Sequence, residues 1–281
     1  MTANEYYRKG IAERAEGHFK DAIDNFNKVI EMEPNNELAY YTRGLARRSL
    51  SDNYGAIEDF TKTVQINPNF MYAHYNRGLA KRSLLDNSGA IEDFTIAIEM
   101  DPNDANAYYN RGLAKRSLSN YSGAIKDFNK TLEITPNDAN AYYNRGLVQF
   151  NLSYYSETIN DCTKAIKINS NFAEAYNFRG NAKYYLSDYQ GAIEDYSEAI
   201  KINPNFVEAY NFRGNAKYYL SEYHGAIEDY NKAIKINPLF LEAYKNRANA
   251  YKKLENYKEA AKDFKEAGTD ILNMFISEEE K

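Results

Sequence analysis

Between Glu37 and Ser51 the apolar residues Ala39, Tyr40, Leu45, Ala46 and Leu50 gather on one side of a 3.6-residue turn, with one Gly and no Pro. That is the pattern of a helix with one buried face. Asn35, after Pro34, is a suitable N-cap, and Ser51-Asp52-Asn53 reads as a short turn. A second apolar face follows from Tyr54 to Asn67, carried by Ala56, Ile57, Phe60, Val64 and Ile66. Pro68 ends it, because proline offers no N–H to the helix ladder and clashes with the preceding turn. The unit is therefore two short antiparallel helices.

The same two faces return along the chain. The prolines are Pro34, Pro68, Pro102, Pro136, Pro204 and Pro238, every gap being 34 residues or twice 34, and Ser170 stands in the skipped place. Gly10, Gly44, Gly78, Gly112, Gly146, Gly180 and Gly214 keep the same beat, with Ala248 in the eighth place. A fixed period decides the architecture before any local pattern does. Eight copies run without insertion or deletion, so no long loop is left to carry an active site. The small Gly slot is where two helices cross too closely for a bulky side chain.

In the second copy Tyr40, Gly44, Ala56, Phe60 and Pro68 occupy the positions that mark a tetratricopeptide repeat, and the chain resembles that family over residues 3–268. The resemblance implies an all-α, right-handed superhelical solenoid of eight helix-turn-helix repeats, with residues 269–281 as a C-terminal capping segment. Tyr replaces the family's usual Trp in seven copies, and His74 stands there in the third. Arg replaces the usual Leu before the Gly. Arg43, Arg77, Arg111, Arg145, Arg179, Arg213 and Arg247 each precede an Asp sixteen residues on: Asp59, Asp93, Asp127, Asp161, Asp195, Asp229 and Asp263. In the first copy both change together, to Lys9 and Asn25. A bidentate Arg–Asp pair joining the two helices of each copy is expected.

The family's first helices line a concave groove that commonly takes extended peptides, so the resemblance places groove slots six and three residues before the Gly and one, four and five after it. In the N-terminal half these hold Tyr41, Tyr75, Tyr109 and Tyr143, aliphatic residues such as Leu45, and a ladder of Arg48, Arg82 and Arg116 continued from Arg14. Guanidinium groups pair with carboxylates and stack on tyrosine rings, so the natural complement is an acidic segment with some apolar side chains. In the C-terminal half Asn177 and Asn211 replace Tyr, Asn181, Asn215 and Asn249 replace Leu, and Tyr184 and Tyr218 replace Arg. Asn carries an acceptor and donors that match a peptide unit, so this half can grip a ligand backbone. The competing reading is ordinary packing between repeats for Tyr and Leu, and solvation for Arg and Asn. The family's two-carboxylate clamp for chaperone C-termini is not expected: Lys245 and Asn249 match its first step, but no repeat follows.

Composition narrows the function further. The 281 residues carry a formal net charge of −5 and a single Cys, which excludes an internal disulfide framework and a Cys-rich zinc site. The mild acidity argues against general nucleic-acid binding, leaving single-stranded RNA as a distant alternative. No membrane span is expected, and the start lacks a signal-peptide pattern, which points to a cytoplasmic protein unless the chain was trimmed. His18, His74 and His224 fall in different repeat slots, so no metal site, cofactor or catalytic triad is expected and the chain reads as a non-enzyme. The fifth copy is irregular, with Ser170 for Pro, Thr158 for Ala and Cys162 for an aromatic. Its junction with the next copy is expected to be the weakest, with Cys162 a small core residue. The tail places Ile271, Leu272, Met274, Phe275 and Ile276 before Glu278, Glu279 and Glu280, and suits either a cap or a contact with a second copy. The leading expectation is a scaffold for an unknown, partly acidic peptide; the alternative is a self-associating structural protein.

Overall fold

The computed structural model describes residues 1–268, so the expected capping segment 269–281 lies outside the described residues. The fold among these residues is all-α: sixteen helices in consecutive pairs, one pair per copy. The chain divides into two compact units, at Asn137 and Asp138. The first holds α1 (Ala3–Ala15), α2 (Phe19–Met32), α3 (Glu37–Ser49), α4 (Asn53–Ile66), α5 (Met71–Ser83), α6 (Asn87–Met100), α7 (Ala105–Ser117) and α8 (Tyr121–Ile134). The second holds α9 (Ala139–Asn151), α10 (Tyr155–Ile168), α11 (Ala173–Tyr185), α12 (Tyr189–Ile202), α13 (Val207–Tyr219), α14 (Tyr223–Ile236), α15 (Leu241–Lys253) and α16 (Tyr257–Glu266).

The turn inside each copy is built by one left-handed residue. Ser51, Leu85, Ser119, Ser153, Ser187, Ser221 and Glu255 all have φ between 57° and 64°, and Gly17 takes the slot in the first copy. In several copies the following residue caps the second helix: Asp52, Asp86 and Asp188 each accept the N–H of the glycine three residues on. Between copies the N-cap is Asn36 rather than the expected Asn35. The reason is a tight turn through Pro34 and Asn35, closed by the Asn36 N–H on the Glu33 carbonyl at 3.0 Å, which leaves the Asn36 side chain to accept from Ala39.

In six of the eight copies the core is an aromatic ring laid on the glycine; the fifth has Cys162 in place of the ring and the eighth Ala248 in place of the glycine. Phe60 is fully buried, and a methyl group added at Gly44 would sit 2.7 Å from its ring, which is the close crossing the period implied. The ring also reaches forward: Phe60 packs with Ala56 and with Ala80 of the next copy, and Phe94 with Ala90 and Ala114. Tyr196 plays this part in the second unit with Ala192 and Ala216. Within each unit a copy thus completes its neighbour's core, which is why such repeats are stable only in series.

Candidate functional site

All seven expected Arg–Asp pairs form. Arg77 Nη2 donates to Asp93 Oδ1 at 2.6 Å and its Nε to Oδ2 at 3.0 Å, and the other six repeat this geometry. Two further features were not drawn from the sequence. Four residues after the Arg, a second cation closes on the same carboxylate: Arg47 on Asp59, Lys81 on Asp93, Lys115 on Asp127, Lys183 on Asp195 and Lys217 on Asp229, at 2.8–3.1 Å. The Arg also donates through Nη1 to a polar side chain of the preceding copy: to Asn27, Thr61, Thr95, Thr163, Ser197 and Asn231 from Arg43, Arg77, Arg111, Arg179, Arg213 and Arg247. Both partners recur at 34 residues, so the signal was present in the period. The guanidinium lies over the ring in the usual Trp slot, 5.4 Å from the Tyr40 and Tyr176 centroids. One Arg therefore joins two helices of its own copy to the copy before, and is not a groove residue.

The groove arginines are different. In the first unit Tyr41 and Tyr75 stand half-buried, their rings 5.9 and 5.7 Å from those of Phe60 and Phe94, and Tyr109 is 5.9 Å from Phe128. The hydroxyl of Tyr41 accepts from Asn76 Nδ2 of the next copy at 3.2 Å, and that of Tyr75 from Asn110 at 3.1 Å. Burial holds both phenols above their ordinary range, with Arg48 acting in the opposite sense on both, Arg14 on Tyr41 and Arg82 on Tyr75. Arg14, Arg48 and Arg82 thus alternate with the rings. Among the described residues none of the three has a carboxylate within ion-pair distance, and the buried Nε of Arg14 and of Arg82 has no acceptor. Arg116 continues the slot on α7. Tyr143 falls in the second unit, where it packs on Phe172 and Phe178.

In the second unit the structure gathers four of the expected residues, Tyr184, Asn215, Tyr218 and Asn249, around a depression of about 390 Å³ completed by Tyr219, Tyr230 and Asn246. A smaller one of about 180 Å³ adjoins it, with Tyr218, Asn249, Lys252, Lys253 and Tyr257. Three of the expected asparagines are not on this surface. Asn177 is 5% and Asn211 0% exposed, and the Oδ1 of Asn211 accepts from Asn246 at 3.0 Å. Asn181 is also buried, and its Oδ1 accepts the hydroxyl of Tyr196 at 2.8 Å; Asn215 does the same for Tyr230. The change from Leu79 to Asn181 is thus matched by the change from Phe94 to Tyr196, a buried polar pair replacing an apolar one. Tyr196→Phe is expected to cost about 1–2 kcal/mol by stranding the Asn181 carbonyl, and Tyr196→Phe with Asn181→Leu to recover most of it. Urea unfolding of the single and double variants checks this; equal losses in both would sink the pairing argument.

Tyr185 and Tyr219, which follow Tyr184 and Tyr218, stack on tyrosines of the second helices. Tyr155 lies parallel to Tyr185 and Tyr189 to Tyr219, both with centroids 5.1 Å apart, and Tyr184 bridges Tyr185 and Tyr219 edge-on. This aromatic ribbon joins the ends of first helices to the starts of second helices with five of the chain's 27 tyrosines. The signal was the paired aromatics 30 residues apart. Elsewhere, Glu13, Glu16 and His18 can bring three ligand atoms within 4.8 Å of one another on the surface of the first copy, where His18 Nδ1 is 3.0 Å from Glu13.

Tetratricopeptide repeat sequence models match residues 7–69, 94–126, 139–172, 173–206, 207–240 and 241–267, and a further repeat model matches 112–153. The chain belongs to the tetratricopeptide repeat family. No curated protein matches it. Among solved structures it is similar to MamA at 30% identity, over 58% of this chain and 89% of that one, with a TM-score of 0.55. It shares the fold of YrrB, described as a tetratricopeptide protein with an unusual peptide-binding site (24% identity, 66% and 96% coverage, TM-score 0.58). It also shares the fold of the C-terminal part of a repeat protein from Cytophaga hutchinsonii (17% identity, 85% and 98% coverage, TM-score 0.71). The fold is thus that of a protein-interaction scaffold. No helix among the described residues is long and apolar enough to cross a membrane.

Proposed function

We propose that this repeat protein is a non-enzymatic scaffold that holds an extended, partly acidic peptide against the first helices of its first unit. The observation that carries this reading is the row of Arg14, Arg48 and Arg82, half-buried between tyrosine rings and without carboxylate partners among the described residues. On α3 and α5 the clamp arginines, Arg43 and Arg77, each have their aspartate. A partly buried cation without a counter-charge favours an anionic ligand, and Tyr and Leu beside it suit apolar side chains. The Tyr–Asn depression of the second unit supplies backbone-directed contacts through Asn215 and Asn249, since Asn177 and Asn211 are buried. A shared fold with YrrB, which carries a peptide site, fits this reading.

Calorimetric titration with a mixed pool of acidic, neutral and basic ten-residue peptides tests it. Arg48→Ala with Arg82→Ala is expected to weaken acidic peptides about tenfold or more and to flatten their salt dependence. Asn215→Ala with Asn249→Ala should lower affinity across sequences. If both variants bind as the parent does, the groove is not where peptides bind.

A further inference from the structure

We infer that the second unit carries two sites of oxidative modification, Tyr155 with Tyr185 and Tyr189 with Tyr219, where a one-electron oxidant couples the paired rings into a dityrosine. Tyr155 lies on α10 and Tyr185 on α11, Tyr189 on α12 and Tyr219 on α13, so each link would tie one copy to the next. Both pairs have the same geometry, with centroids 5.1 Å apart and 10° and 8° between the ring planes. In each a third ring stands edge-on to both members and supports their face-to-face pose. Phe150 does this at 5.4 Å from both Tyr155 and Tyr185, and Tyr184 at 5.5 and 5.7 Å from Tyr189 and Tyr219. The fold does not require these rings. The slot of Tyr185 and Tyr219 holds Ser49, Ser83 and Ser117 in copies two to four, whose helix pairs form all the same. Nor do the rings bury much surface, since Tyr185 and Tyr219 are each 58% exposed. What the arrangement supplies is two pairs of phenols held face to face where a small oxidant can reach them.

The chemistry balances as follows. Each phenol gives one electron to the oxidant and its proton to water. The unpaired electron of a phenoxyl radical is shared with the ring carbons beside the C–O carbon, and stacking brings two such rings together. One bond then forms between a Cε of each ring, and the hydrogen on each of those carbons moves to the oxygen, restoring both phenols. One C–C bond is made and two C–H bonds are broken; two electrons leave with the oxidant and two protons with the solvent. A covalent link restricts the opened state of the segment it closes. The first link falls at the junction after the fifth copy, where Cys162 replaces the core aromatic. Tyr223 provides an internal contrast. It has an edge-on ring, Tyr218 at 5.3 Å, but the slot of its stacking partner holds Lys253.

The test irradiates the full chain, kept dilute, with ruthenium tris-bipyridine and persulfate, a small one-electron oxidant. Dityrosine emission reports coupling, read without interference because the chain has no Trp, and mass spectrometry of the digest maps the links. A monomeric product with the two stated links is expected, each linked peptide pair lighter by two hydrogen atoms. Tyr185→Phe and Tyr219→Phe keep the stacks but remove a phenol, so each should delete its own link and leave the other. Lys253→Tyr should add a third link, to Tyr223. Coupling should slow hydrogen exchange of α10 to α13 about tenfold or more. Tyr54 and Tyr72, 73% and 57% exposed and without a ring partner among the described residues, report what exposure alone does. Links that form chiefly through Tyr54 or Tyr72 or between molecules, or emission that survives in the double Phe variant, would overturn the assignment. Correct links with unchanged exchange would overturn the tie between copies.

Discussion

Asp93→Ala is expected to destabilise the third repeat by about 3–5 kcal/mol, the largest effect of any single substitution considered for this chain. The carboxylate is 1% exposed and held by two cations, Arg77 through two nitrogens and Lys81 at 2.9 Å, with His74 Nδ1 at 3.6 Å. Removing it leaves Arg77 and Lys81, themselves mostly buried, facing one another without a counter-charge, and the cost is that of the stranded cations rather than of one lost contact. Asp93→Asn keeps the shape and one acceptor, so it should cost less. Burial acts to raise the Asp93 pKa, but the neighbouring His74, the hydrogen bonds of Arg77 and Lys81 and the charge of Arg77 outweigh it and hold the carboxyl at about 2. A folded-state pKa below the unfolded value gives stability that is fully present above about pH 4 and is lost as pH falls toward 2, worth about 2–3 kcal/mol over that window. Because repeat arrays open in segments, hydrogen exchange of α5 and α6 between pH 2.5 and 6 is the measurement that isolates the effect. A loss below about 1 kcal/mol, or an unchanged pH slope in Asp93→Ala, would mean the cluster does not stabilise its repeat.

The Arg–Asp spacing of sixteen was legible because a 34-residue period makes every copy an independent witness to the same pair, and the joint change to Lys9 and Asn25 behaves as a pair should. The helix pairs, the Gly–aromatic crossing and the Tyr in the Trp slot were legible for the same reason. What the period does not convey is how deep a slot lies. Asn177 and Asn211 occupy the slot of Tyr75, whose longer side chain stays half-buried and reaches Asn110 of the next copy; the short asparagine in that slot is buried. Asn181 reads as a ligand for peptides until Tyr196 is found fifteen residues on with its hydroxyl pointed at it. The second cations, Lys81 and its equivalents, recur with the period, but nothing local in the sequence marks a lysine as folded inward onto a buried carboxylate. Depth and direction are set by the packing of neighbours, and those were the parts of the site that needed coordinates.

Gly44→Ala and Gly146→Ala, the same substitution at the same slot, are expected to act with opposite sign. At Gly44 the added methyl would meet the Phe60 ring at 2.7 Å, and that ring is fully buried and held between Ala56 and Ala80, so it cannot move aside cheaply. Overpacking of this kind costs up to about 3 kcal/mol, more than the roughly 1 kcal/mol gained by replacing a mid-helix glycine with alanine. At Gly146 the facing residue is Cys162, whose Sγ would lie 3.5 Å away, an ordinary contact. Burial pushes that thiol up to about 12, so it faces Gly146 as a small neutral group and not as a thiolate. The propensity gain is then unopposed, and Gly146→Ala should be neutral or stabilising by up to about 1 kcal/mol. The decisive variant restores the missing ring. With Gly146 in place, Cys162→Phe recreates the pairing of Gly78 with Phe94; with Gly146→Ala present, the same Phe meets the methyl. The two substitutions should therefore be strongly non-additive, by about 2 kcal/mol or more, in a cycle followed by exchange of α9 and α10. Additive effects would show that the glycine slot is small for a reason other than the ring. They would also remove the physical basis for reading the fifth copy as the place where this array is packed differently.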